Sequence, residues 1–196
     1  MQALSASIAL PVSSGTAFRV IADLNTLLRL SPFFSLNKFA AATVGLPQPG
    51  DQYAVTIEYY EEELIETHCI EVDEFEMNRR VSYKIAEGAI KTILFEIEPH
   101  ENGIQFTQTL LLASEDETVV SGLRNKLQFW IKSVGEYVKL AEGTSPWIRA
   151  VKWFMDSIWL KLTLSERTIA IIMAKISFIE IVLLLIVVVL WNFAMR

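Results

Sequence analysis

The carboxy-terminal stretch from residue 176 to residue 194 constrains this chain more than any other part of the sequence. Its central run, residues 181–190, contains only isoleucine, valine and leucine. About 20 apolar residues in a helix, rising 1.5 Å each, span a hydrocarbon core of about 30 Å. Insertion gains roughly 4 to 8 kcal/mol, whereas Glu180 near one end costs a few kcal/mol at most. Residues 165–196 are therefore predicted to be a transmembrane tail anchor. A buried core helix is disfavoured because it would keep a polar face.

Within this anchor, Ile181, Leu184, Val188 and Trp191 are expected to contact the membrane. Glu180 leaves two interpretations open. Its carboxylate either reaches the headgroup level, or it contacts a polar or cationic group on a partner helix, because acids inside membranes seldom face lipid.

The formal charge of −6 is unevenly distributed along the chain. Residues 1–144 carry 11 basic and 20 acidic side chains, a net −9, and residues 145–196 carry 6 and 3, a net +3. An acidic domain does not suggest nucleic-acid binding, whereas a basic stem suits anionic membrane lipid. Only Arg196 follows the apolar run, so the positive-inside rule predicts a single-pass membrane protein with its amino-terminal domain in the cytoplasm.

Residues 144–164 are predicted to form an amphipathic helix on the membrane surface. Ser145 caps it, Pro146 takes its first position, and we expect it to continue to Lys161. The tryptophans of this segment are expected to lie between headgroups and hydrocarbon, as tryptophan prefers; they are Trp147, Trp153 and Trp159. Packing of this helix on the domain, or on another protein, is the alternative. The capping box Thr163-x-x-Glu166 then begins the membrane span.

Residues 1–143 have the pattern of one α+β domain. A strand from Ser5 to Leu10 precedes two short helices, an extended segment and five strand-like segments between residues 52 and 112. Alternating apolar residues and hairpin turns such as His100-Glu-Asn-Gly103 predict an antiparallel meander with one covered face. The cover is a long amphipathic helix that follows the capping box Ser114-x-x-Glu117 and ends before Gly143.

This order of elements, with two local segments, resembles the START-like superfamily, also called SRPBCC. Residues 10–18, Leu-Pro-Val-Ser-Ser-Gly-Thr-Ala-Phe, and residues 23–25 are similar to its opening strand and helix. Residues 70–75 with 79–81 are similar to its strand-turn-strand segment. The resemblance implies a helix-grip fold, in which a curved antiparallel sheet surrounds the long helix and leaves an apolar cavity. It extends over residues 5–141, and the tail lies outside it.

The resemblance further implies a ligand in this cavity, a lipid or a quinone. We expect inward-facing residues of the strands and the long helix to line it, namely Tyr53, Val55, Ile57, Tyr59, His68, Tyr83, Phe95, Phe106, Leu127 and Trp130. No catalytic residue and no cofactor is predicted, since the resemblance includes no invariant catalytic signature. No metal site is predicted either, because the two histidines lie in separate segments without metal-ligand spacing.

Glu66 and His68 lie two residues apart on one strand, so both point to the same face. In the cavity they would either form an acid–base pair, as a cyclase or hydratase needs, or orient a ligand carbonyl, with Tyr83 on the next strand assisting. On the other face they would be solvated, beside the acidic turn Glu61–Glu63.

Two main functions follow from these patterns. The first is a membrane-anchored protein that binds or transfers a hydrophobic ligand. The second is an accessory subunit of a larger membrane protein complex, docked through Glu180, the tryptophan-rich helix and the acidic turns. An enzyme is the third and weakest hypothesis.

Overall fold

The computed structural model describes residues 2–32, 34–41, 45–59, 64–113 and 117–194, without the side chains of 117–119, 164, 188–190 and 192–194. Ser114, Glu61–Glu63 and Arg196, which the sequence analysis named, lie outside the described residues, as does the side chain of Val188. Contacts divide the chain into one unit over residues 1–161 and a second over residues 162–196.

Among the described residues, the first unit contains seven strands and four of the five α-helices. In chain order the elements are β1 (Gln2–Leu10), α1 (Ser14–Ala22), α2 (Leu24–Arg29), β2 (Phe34–Ala41), β3 (Gln52–Tyr59), β4 (Leu64–Glu76), β5 (Arg80–Ile85), β6 (Ile90–His100), β7 (Gly103–Leu112), α3 (Glu117–Glu142) and α4 (Pro146–Ser157). The second unit is α5 (Leu164–Ala194) with the residues that flank it.

The seven strands form one curved antiparallel sheet in the order β1-β7-β6-β5-β4-β3-β2. Consecutive hairpins explain most of this order, since β2 to β7 follow each other in space as in sequence. The chain crosses over once, when β1 pairs with β7, so that Leu10 lies opposite Ile104. Gly103 permits this approach, because a Cβ there would lie 2.2 Å from the Leu10 carbonyl oxygen. The predicted antiparallel sheet is confirmed.

One face of the sheet is covered by α3, as the apolar periodicity predicted. Inward-facing side chains of β6 and β7 alternate with half-buried ones, and Phe95 and Phe106 stack at 6.0 Å between ring centroids. The inner face of α3 buries Trp130, Val134 and Val138. The apolar side chains that alternate along the strands pack against the apolar stripe of α3, and together they form one continuous core.

The two short helices α1 and α2 are joined to this core by hydrogen bonds from aromatic side chains. Ser13 caps α1 and Asp23 caps α2, as their oxygens accept from Thr16 and Thr26 backbone N–H groups. The Tyr83 hydroxyl donates to the Ile21 carbonyl at 2.9 Å. Such bonds satisfy carbonyls at helix ends that would otherwise be unpaired.

The helix predicted over residues 146–161 ends four residues early. The α-helix α4 stops at Ser157, and a short 3-10 turn, Trp159–Lys161, follows. The reason is tertiary: the turn buries Leu160, and Arg29 donates to its carbonyl at 3.0 Å. Trp159 therefore lies outside α4, half-buried against Phe154, whereas Trp147 and Trp153 are exposed.

In the second unit, α5 contains a stretch, Ser165–Val187, that is long and apolar enough to cross a membrane. Its predicted capping box is present. The Glu166 carboxylate accepts a hydrogen bond from the Thr163 N–H at 2.7 Å, and Thr163 Oγ1 accepts one from the Glu166 N–H at 3.3 Å. Ile181, Leu184 and Trp191 are exposed on this helix. Glu180 is exposed there too.

Gln108 is a polar side chain inside the core, on the inward face of β7. It is fully buried, and neither its Oε1 nor its Nε2 has a hydrogen-bond partner among the described residues. An unpaired buried amide of this kind costs about 1 to 3 kcal/mol.

Replacing Gln108 with methionine, which has a similar shape, should therefore raise the free energy of unfolding by about 1 to 2 kcal/mol. Urea denaturation of the full chain in mild detergent, followed by circular dichroism, measures this change. Gln105→Met is the matched control, because Gln105 lies on the same strand with its side chain on the other face. A loss of stability in Gln108→Met would show instead that the amide is satisfied internally.

Candidate ligand cavity

A cavity of about 400 Å³ lies between the inner face of the sheet and the amino-terminal half of α3. This volume falls in the usual range for small-molecule sites, about 300 to 1,000 Å³. Its described lining consists of Leu28, Phe34, Val55, Ile57, Tyr59, His68, Ile70, Ile85, Glu87, Gly88, Ala89, Ile90, Ile93, Gly122, Leu123, Lys126 and Trp130. Most of these side chains are apolar, so the interior favours a hydrophobic occupant.

The cavity reaches the surface beside the turn between β5 and β6. Glu87, Gly88 and Ala89 of that turn are exposed, and so is Gly122 on α3. Lys126 is half-buried on the next turn of α3. The mouth is therefore bordered by one acidic and one basic side chain, and the wall behind it is mainly aliphatic.

Five of the ten predicted cavity residues line this space, and they are Val55, Ile57, Tyr59, His68 and Trp130. The other five, Tyr53, Tyr83, Phe95, Phe106 and Leu127, are buried in the core and do not line it. They follow the same inward-facing pattern as the residues that line the cavity, but they lie where side chains fill the space between the sheet and the helices. Tyr53, for example, stacks on Phe39 at 5.5 Å.

Several lining residues were not predicted. Ile70, Ile85, Ile90 and Ile93 extend the inward faces of β4, β5 and β6 along the same wall. The period-two pattern marks some of them as inward-facing. Gly88 and Gly122 carry no such signal, because they matter through the side chain that they lack.

His68 and Tyr59 form a polar part of the cavity wall, and Glu66 contacts His68 from outside the lining. His68 is only 6% exposed, and its Nε2 lies 3.0 Å from Glu66 Oε2 and 3.4 Å from the Tyr59 hydroxyl. Glu66 is 39% exposed, so the pair runs from the cavity toward the surface. The interpretation that both side chains are solvated is wrong for His68, because β4 keeps its register with β3 from Leu64 to Glu71.

Tyr83 does not assist this pair. Its hydroxyl donates to the Ile21 carbonyl, and the side chain lies outside the cavity lining. Burial, followed by the charges near it, raises the pKa of Tyr83 well above its usual value. A phenol held protonated in this way does not exchange protons with a ligand near neutral pH.

A second feature outside the cavity is the exposed apolar face of α4. Trp147 is 77% exposed and Trp153 64%, and Phe154 and Ile158 are exposed beside them. The half-buried side of the helix is mixed, because Val151 and Met155 lie there and Met155 packs against the core. Polar contacts join it to α3: the Tyr137 hydroxyl donates to Asp156 at 2.5 Å, and Lys152 donates to Tyr137 at 3.3 Å. Burial, with this hydrogen bond, raises the pKa of Tyr137, so its proton stays in place near neutral pH.

In the described part of the chain, no group of three His, Cys, Asp or Glu side chains is placed to hold a metal ion. The polar side chains that line the cavity are Tyr59 and His68, with Glu87 and Lys126 at its mouth.

The curved sheet, the long covering helix and the cavity between them define a helix-grip domain, the fold that the resemblance implied. Solved structures confirm this fold. Protein NE0264 from Nitrosomonas europaea is 13% identical, with a TM-score of 0.55 over 70% of this chain and 94% of that one. The Aha1 dimer from Colwellia psychrerythraea is 15% identical, with a TM-score of 0.53 over 73% and 100%. Ara h 8.0201 is 16% identical, with a TM-score of 0.51 over 70% and 97%.

At these identities the likeness concerns the fold alone. No protein-family model matches the chain, and no curated protein matches it.

The Tyr137 contact yields a test of how α4 is held. Tyr137→Phe removes the hydrogen bond to Asp156, so α4 should open more often, with its amide exchange accelerated about 5- to 10-fold. Hydrogen exchange of the full chain, read by mass spectrometry over residues 146–157, measures this. Tyr53→Phe, a buried tyrosine far along the chain, is the control. Unchanged exchange in Tyr137→Phe would mean that apolar packing alone holds α4.

Proposed function

We propose that this chain is a membrane-anchored helix-grip domain that binds or transfers a hydrophobic ligand, a lipid or a quinone. The observation that carries the proposal is the cavity of about 400 Å³, with its aliphatic wall and a polar group at His68. Burial of apolar ligand surface contributes roughly 25 cal/mol per Å², and a few polar contacts fix orientation.

The anchor supplies the reason for a membrane ligand. Between the end of α4 at Ser157 and the apolar stretch that begins at Ser165 there are few residues. At no more than about 3.5 Å per residue, a span inserted in the bilayer keeps α4 near the membrane surface. The domain then samples a high local concentration of lipid-soluble molecules, as a tethered site does.

The exposed face of α4 supports the same arrangement. Trp147, Trp153 and Phe154 present an apolar surface, and Arg149 and Lys161 are exposed in the same segment. Aromatic side chains with basic neighbours suit the boundary between anionic headgroups and hydrocarbon. The domain would thus lie in the cytoplasm against the cytosolic leaflet of its membrane, as the distribution of basic residues predicts.

The second candidate is an accessory subunit of a membrane protein complex. Glu180 favours it, because this acidic residue lies within the apolar stretch of α5 and has no described partner in its own chain. Contact with a polar group on a partner helix would satisfy it. The exposed face of α4 would then contact protein instead of lipid.

Ligand binding predicts that full-length protein retains a lipid or quinone when its membranes are solubilised. Ile57→Trp places a large ring in the cavity, and we expect it to lower the retained ligand at least about tenfold, because overpacking removes the space. Mass spectrometry of organic extracts from nanodisc-reconstituted protein measures this against protein-free nanodiscs.

Thr56→Trp is the matched control for this experiment, because Thr56 is the neighbouring residue on β3 and its side chain lies on the opposite face. Circular dichroism of both variants checks the fold. Wild-type protein that retains nothing above protein-free nanodiscs would overturn ligand binding.

The neighbour of α4 is tested by a photoreactive benzoylphenylalanine in place of Phe154, activated in native membranes. We expect crosslinks to lipid, because Phe154 is exposed beside two exposed tryptophans. A discrete protein adduct would favour the accessory subunit. The same group at Thr67, exposed on the sheet face away from the cavity, is the control and should give neither. Full chain released by alkaline extraction would contradict both functions.

A further inference from the structure

His68 has one ring nitrogen that lacks a partner. The side chain is 94% buried and lines the cavity, yet Nδ1 has no hydrogen-bond partner among the described residues. Buried polar atoms in folded proteins are nearly always paired. A buried nitrogen without a partner, on a side chain in a cavity wall, indicates a group that the described part of the chain does not provide.

The chemistry of that group follows from the other nitrogen. A carboxylate only accepts hydrogen bonds, so Glu66 fixes the proton on Nε2, which donates to Oε2 at 3.0 Å. In the neutral ring Nδ1 then has a lone pair and accepts. Tyr59 also approaches Nε2, at 3.4 Å, so both polar neighbours act on the same side of the ring. Glu66 is therefore a positioning residue.

The surroundings of the ring leave room for a ligand at this edge. A Cβ at Gly88 would lie 3.9 Å from Cε1, the atom that joins the two ring nitrogens. Gly88 has a φ of +104°, where glycine is favoured, and it lines the cavity. The absent side chain leaves the ring edge uncovered, and the nearby aliphatic walls of Ile70 and Ile85 contain no donor.

We propose that the ligand is an amphiphile with a hydroxyl group, and that this hydroxyl donates a hydrogen bond to Nδ1 of His68. The inference rests on the proposed function and specifies its ligand class. Long-chain alcohols, sterols and hydroquinones share the required chemistry: an apolar body for the aliphatic wall and one O–H donor. An ether or a quinone carbonyl offers only lone pairs, which leaves Nδ1 unsatisfied.

The test compares 1-dodecanol with dodecyl methyl ether, which differ in the donor. Full-length protein in nanodiscs is equilibrated with each ligand, and the amount retained above protein-free nanodiscs gives an apparent affinity. We expect the alcohol to bind about 5- to 30-fold more tightly than the ether. His68→Phe should abolish this preference. Dividing the alcohol-to-ether affinity ratio of the wild type by that of His68→Phe cancels the partitioning of both ligands into lipid.

His100→Phe is the matched control, because His100 is exposed at the end of β6 and should leave the preference unchanged. The His100→Phe protein, labelled with ¹⁵N-histidine, provides a second measurement that needs no change at His68. There we expect the alcohol, and not the ether, to shift the Nδ1 resonance.

The outcomes separate the two proposals. Equal binding of alcohol and ether, or a preference that survives His68→Phe, overturns the hydroxyl inference and leaves ligand binding intact. An Nδ1 resonance that the alcohol does not shift overturns it as well. Retention of neither ligand overturns ligand binding itself.

Discussion

The position of α3 over the sheet depends on Trp130. Its indole N–H donates to the Leu27 carbonyl at 3.2 Å, and its ring meets Phe95 edge to face at 6.2 Å. A tryptophan has a large apolar ring to bury and one N–H donor to pair. Here Phe95 contacts the ring and Leu27 accepts from the N–H, so α3 is held against both the sheet and α2. Because Trp130 also lines the cavity, the same contact that holds the helix forms one wall of the binding space.

This contact explains why the sequence predicted the fold better than the site. Turn residues and apolar alternation are local, and they placed the hairpins and the inward-facing residues of β3, including Val55 and Ile57. Phe95 and Phe106 have the same alternation, yet they fill the core. Whether an inward side chain meets another side chain or an empty volume depends on where α3 crosses the sheet, and no local pattern contains that distance.

His68 and α4 also show that local sequence patterns do not determine tertiary contacts. The strand period allowed either face for His68, and only the unbroken pairing of β3 with β4 decided it; the bulges lie elsewhere, for example between Val72 and Glu74. The hydrogen bond from Tyr137 on α3 to Asp156 on α4 joins two helices, so no pattern within either helix predicts it. The early end of α4 likewise depends on Arg29, about 130 residues before it.

The exposed aromatic residues of α4 have an energetic consequence. An amphipathic helix normally turns its apolar side toward the core, and burial of one large apolar side chain is worth about 1.5 to 3 kcal/mol. In α4 the half-buried side combines Val151 and Met155 with Asp156, whereas Trp147 and Trp153 are exposed. Exposed rings of this kind gain the free energy of burial only when another apolar surface covers them. The proposed insertion of α5 in a bilayer would provide such a surface, because tryptophan is accommodated at the boundary between headgroups and hydrocarbon.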